Sequence, residues 1–242
     1  MQPTPSEYQM LQQSALPLNV FIRLGLLIVK KKWQLFLGLY CCLSLPISFM
    51  EYIWALEEKH VAVPMLLGVL FQLLFTTFSA LIVEAEVRGA TLTKSMLIAY
   101  GSRRFLPALF TLLLFVCILF IATLAFIIPG IALGIFFQFG VFVAVTRNRV
   151  GMPALRYSMK LVKHQWWYTC AACVMFSIIV PMVIGLPFIL ILGGEDPSSA
   201  KAILMNNLIG GASSVPGNVM LILLFLNLDY QPRQADGSPH AP

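Results

Sequence analysis

The sequence predicts an all-α, polytopic membrane protein. It should contain six transmembrane helices paired as three hairpins, each preceded by a basic interfacial helix on the cytoplasmic side. Three observations carry that prediction. First, 59% of the 242 residues are apolar and only 11% are charged, whereas soluble domains average about 25% charged residues, so this chain could not clothe a globular surface in polar groups. Second, stretches approaching the roughly 20 apolar residues that cross the hydrocarbon at about 1.5 Å each occur six times. Third, the basic residues lie almost entirely in alternate connections between those stretches, which is the distribution that sets membrane orientation.

In chain order, residues 1–17, MQPTPSEYQMLQQSALP, form a polar segment without Lys or Arg. It lacks the charged and apolar regions of a signal peptide, so no processing is expected there. Residues 18–230 form one six-helix membrane domain, with 231–242 as a flexible tail. The expected spans are Trp33 to Met50, Val61 to Val83, Phe105 to Ile128, Ile131 to Thr146, Trp166 to Leu192, and a sixth that begins between Ala202 and Ser213 and ends near Leu228. The run Phe105 to Thr146 contains no charged residue or histidine. As one helix it would measure about 63 Å, about twice the hydrocarbon thickness, so it must reverse. Pro129 and Gly130 are the candidate reversal, because Pro pre-sets its own φ and Gly permits a positive one, as a type II turn requires.

The charge census supports the count. Of the sixteen Lys and Arg, only Lys59 and Lys201 fall on the expected outer side, beside Glu51, Glu57, Glu58, Glu195 and Asp196. Were Pro129-Gly130 a mere kink, Arg147 to Lys163 would face outward. Both termini are therefore expected in the cytoplasm. Trp33, the pair Tyr52 and Trp54, and Trp166-Trp167-Tyr168 sit where headgroup-belt anchors belong.

The three basic segments read as helices. In Met152 to Gln165, Leu155, Met159, Val162 and Trp166 share one face, while Arg156, Lys160, Lys163 and His164 take the other; this is the pattern of a helix lying in the interface. Leu18 to Lys32 repeats it with Asn19, Arg23 and Lys30 aligned, and Thr91 to Arg104 does so more faintly. Arg156, Lys160 and Lys163 are the candidate surface for anionic lipid headgroups or for a protein partner. Nucleic acid is not an expected partner, since the net charge of +6 is concentrated at membrane boundaries.

Catalytic sets are not visible. His60, His164 and His240 are scattered over loops and the tail, leaving no histidine and carboxylate cluster for metal-assisted hydrolysis. Cys170 and Cys173 have CxxC spacing but stand in an apolar span, without a neighbouring cation or a second pair to complete a zinc site. No disulfide, metal or cofactor is expected, and the protein is not expected to be an enzyme. Polar residues within the spans need partners. Gln72 and Gln138 are expected either to hydrogen-bond across helices or to line a polar cavity with Asn206 and Asn207, Glu84 standing at its mouth with Glu86 and Arg88. No buried Lys or Arg is expected. The sixth segment, AILMNNLIGGASSVPGNVMLILLFLNL, should be either a helix broken at its Gly and Pro residues or an outer loop helix followed by a short span.

FIIPGIALGIFFQFGVFVAVTRNRVGMPALRYSMKLVKHQWW combines an apolar Pro-Gly pair, a short span, a loop with Gly, then Ala, a basic residue and Ser before a span opening in aromatics. Through Pro129, Gly130, Gly151, Ala154, Ser158 and Trp166 or Trp167 it resembles the six-span family named for the glycerophosphoryl diester phosphodiesterase membrane domain, which includes YciC-type proteins. The resemblance implies a bacterial inner membrane protein tied to the envelope; the catalytic domain that gave the family its name has no counterpart here. The reading that follows is a non-catalytic binding or scaffolding protein in envelope or lipid homeostasis. Its alternatives are a small-molecule or lipid transporter with a cavity near the second, fourth and sixth helices, and an accessory subunit of a membrane complex.

Overall fold

The computed structural model describes residues 11, 16–56, 62–125, 127–192 and 200–235. Among these there is no strand. The helices are α1 (Leu18–Lys31), α2 (Trp33–Leu56), α3 (Ala62–Arg88), α4 (Lys94–Ala125), α5 (Ile127–Phe137), α6 (Gly140–Arg147), α7 (Met152–Lys163), α8 (Trp166–Val174), a π-helical turn (Met175–Ile179), α9 (Val180–Leu192) and α10 (Ala200–Ala235). Six stretches are long and apolar enough to cross a membrane: Trp33–Met50, Leu66–Arg88, Lys94–Leu124, Pro129–Arg147, Trp166–Pro187 and Ile209–Gln231.

The sixth span is the central post. It is 61% buried against 11% for the third, and α10 packs on α1, α2, α3, α9 and the π turn. Its small residues make that possible. A Cβ on Gly217 would lie 2.0 Å from the carbonyl oxygen of Phe176, and one on Gly211 would lie 2.5 Å from the Tyr40 hydroxyl. Gly211 and Gly217 therefore admit neighbouring helices rather than interrupt the helix. Contrary to both sequence expectations, α10 is one continuous helix from Ala200 to Ala235. Across from Gly217, the π turn ends two residues before Pro181, whose ring crowds the carbonyl one turn earlier and whose missing N–H breaks the α ladder.

The reversal between the third and fourth spans also differs from expectation. Helix α4 ends at Ala125 and α5 begins at Ile127, so Pro129 and Gly130 do not form the turn. Pro129 occupies the first turn of α5, where a missing N–H costs nothing because the first four amides have no partner within the helix. Gly130 packs closely on α4, since a Cβ there would lie 2.5 Å from Thr123 Oγ1. The fourth span then breaks at Gln138-Phe139, between α5 and α6.

Two of the three basic segments are separate amphipathic helices. In α1, Phe21, Leu24, Gly25 and Ile28 are buried while Asn19, Arg23 and Lys30 are exposed. In α7, Ala154, Leu155, Ser158, Leu161 and Val162 are buried while Arg156, Lys160 and Lys163 are exposed. Their apolar sides lie on protein: α1 packs on α10, and α7 packs on α4, α5 and α6. The third is not separate. Lys94 to Arg104 runs without a break into the third span, because it lacks the interruptions found at Lys32 and at His164-Gln165.

Candidate functional site

The strongest concentration of charge lies where the ends of α3, α6 and α10 meet. Arg147, the last residue of α6, donates from Nη1 to Glu84 Oε1 at 2.7 Å. Its Nε donates to Asp229 Oδ2 at 2.9 Å, and its Nη2 donates to the same oxygen. Tyr157 of α7 donates its hydroxyl to Asp229 Oδ1 at 2.6 Å. Arg88, one turn after Glu84, pairs with Glu84 Oε1 at 2.7 Å. Arg149 stacks over the Tyr157 ring at 4.6 Å. Asp229 is fully buried, and the Arg147 side chain is only 10% exposed.

Two arginines and two carboxylates balance in charge, and the guanidinium bridges both acids, with two N–H groups converging on Asp229 Oδ2 and a third on Glu84 Oε1, charge-assisted bonds stronger than neutral ones. Both Asp229 oxygens accept hydrogen bonds, so the group ties elements together rather than presenting a free acid or base. It fixes the second, fourth and sixth spans and α7 at one end of the bundle. Close by, Lys31 and Lys32 of the α1–α2 junction both pair with Glu86, Lys32 at 3.3 Å. Residues from segments far apart in the chain thus converge at the same end.

A second polar tie surrounds the start of α8. Gln165 Nε2 donates to Gln231 Oε1 at 3.0 Å, Gln231 Nε2 to Asn227 Oδ1 at 3.0 Å, and Asn227 Nδ2 to the Leu11 carbonyl at 2.8 Å. Leu11, from the N-terminal segment, is fully buried.

The break in the fourth span is sealed by residues of α7 and of the loop before it. Ser158 Oγ donates to the Phe136 carbonyl at 2.7 Å, replacing a helical bond lost at the break. Gly140 leaves room for Leu155, whose Cδ2 lies 2.6 Å from where a Cβ would be. Ala154 is fully buried. Gly151, at φ 68°, donates its N–H to Thr111 Oγ1 at 2.9 Å. These residues let α7 dock onto the broken span.

The proposed polar cavity is not assembled by the described residues. Gln72 is exposed on α3, whereas Gln138 stands at the break between α5 and α6. Glu84 is closed off by Arg147 and Arg88 rather than forming a mouth with Glu86, which the lysines hold. Asn206 and Asn207 lie on the α10 backbone, but their side chains fall outside the described residues. The expectation of no buried Lys or Arg is overturned by Arg147. A sequence signal existed for Asp229: an acid directly continuing the apolar run LILLFLNL demands a cationic partner. Which cation answers it is not a local property.

No family profile, no curated protein and no solved structure matches the chain.

Proposed function

We propose that this is a non-catalytic integral membrane protein that binds anionic lipid headgroups and acts as a scaffold in envelope or lipid homeostasis, in a bacterial inner membrane with both termini cytoplasmic. One observation carries the reading. Helix α7 exposes Arg156, Lys160 and Lys163 while its other side is locked to the bundle through Tyr157, Ser158 and Leu155, giving a rigid cationic face at a bundle end. The interior charges offer no competing chemistry, since Arg147, Glu84 and Asp229 are committed to one another. Among the described residues no three of His, Cys, Asp and Glu come together. The resemblance to envelope-linked six-span proteins supports the same direction.

The test compares the full chain with R156Q/K160Q/K163Q in nanodiscs of mixed phosphatidylglycerol and phosphatidylcholine. The wild type should enrich phosphatidylglycerol in its lipid annulus, and the triple variant should lose most of that enrichment, at about 1 kcal/mol per cation. Equal annuli would remove the lipid-binding reading. A hydrolytic or transferase activity abolished by one substitution would remove the non-catalytic one.

A further inference from the structure

We propose that the cleft between the start of α2 and the start of α4 binds one phosphate group of an anionic phospholipid; the proposal rests on the lipid-binding reading above and adds to the α7 face a discrete single-headgroup site. Lys32, Leu35, Glu86, Thr93, Lys94 and Leu97 line this cleft. Its charge is unbalanced. Glu86 is already shared by Lys31 and Lys32, and Lys94 has no ion pair among the described residues, so the two lining lysines, Lys32 and Lys94, outnumber the one lining carboxylate. The first turn of the 32-residue α4 contains no acidic residue, so nothing there offsets the positive end of the helix dipole.

Size and polarity narrow the ligand. The cleft holds about 30 Å³, room for about two waters, which suits a single tetrahedral phosphate better than a sugar or a nucleotide. Leu35 and Leu97 give it an apolar margin, where the glycerol and acyl part of a phosphodiester would lie. Trp33, adjacent and 53% exposed, is the kind of aromatic that marks the headgroup level. The lysines and Thr93 supply donors, and Lys94 is the group a bound phosphate would neutralise.

Native mass spectrometry of the full chain, purified in mild detergent and supplied with phosphatidylglycerol or phosphatidylcholine, tests this. One phosphatidylglycerol should be retained per chain, and K32Q/K94Q should weaken retention about tenfold or more, the scale of two cations acting on an anionic lipid. E86Q, which removes the one anion in the cleft, should strengthen retention; weakened retention would overturn the charge argument. R23Q/R103Q, which removes two exposed cations that do not line the cleft, should leave this lipid in place. Equal losses in K32Q/K94Q and R23Q/R103Q would indicate diffuse attraction and overturn the site while leaving the broader function standing. No preference for phosphatidylglycerol in the wild type would overturn both. Inorganic phosphate binding to lipid-free protein with the same dependence on Lys32 and Lys94, without lipid retention, would overturn the lipid assignment in favour of a free phosphate.

Discussion

Arg147 shows how far a residue's role can depart from its place in the sequence. In a charge census it counts as one more cytoplasmic cation, in a basic stretch with Arg149 and Arg156. In the fold it is nearly buried and joins Asp229, 82 positions away, to Glu84, 63 positions away. Breaking one side of such a pair leaves an uncompensated buried charge, which costs about 3 to 5 kcal/mol, whereas replacing both partners with apolar groups is far milder. R147M and D229L should therefore each lower the thermal unfolding temperature in detergent strongly. R147M/D229L should lose much less than the sum of the two. Additive losses would mean that the two side chains stabilise the protein independently.

Among the elements, α10 decides most. Its glycines look alike in sequence yet occupy opposite surroundings. Gly217 faces the Phe176 carbonyl oxygen, 2.0 Å from where a Cβ would sit, while Gly210 has nothing within 4 Å. G217A should destabilise by about 1 to 3 kcal/mol or more, because the clash is with backbone and cannot be relieved by a rotamer change. G210A should be neutral or stabilising by up to about 1 kcal/mol, the difference in helix propensity. Unfolding temperatures of the two variants check this, and a similar loss in both would mean that the sixth span packs differently. The same close approach explains why the segment could be misread from sequence. Gly and Pro signal helix interruption only when no neighbouring helix claims the space they leave.

For the whole molecule, the ion pairs bring the ends of α1, α3, α6 and α10 together, as the alternating distribution of Lys and Arg anticipates. With native cysteines replaced, single cysteines at Arg103 and Arg156 should react with a membrane-impermeant thiol reagent from the same side of the membrane, and one at Ile131 should not react from that side. Labelling of Arg103 and Arg156 positions from opposite sides would overturn the topology. The sequence by itself determined the all-helical character, the six spans and the amphipathic faces of α1 and α7, because these follow from apolar run length and from periodicity within one turn of helix. The tertiary structure alone decided that the third basic segment fuses with its span, that the reversal precedes Pro129, that the fourth span breaks at Gln138-Phe139, and that the sixth span is an unbroken central post. It also decided that Arg147 answers Asp229. Each of these depends on which distant surface fills a gap or satisfies a charge, and one-dimensional spacing carries no record of such partners.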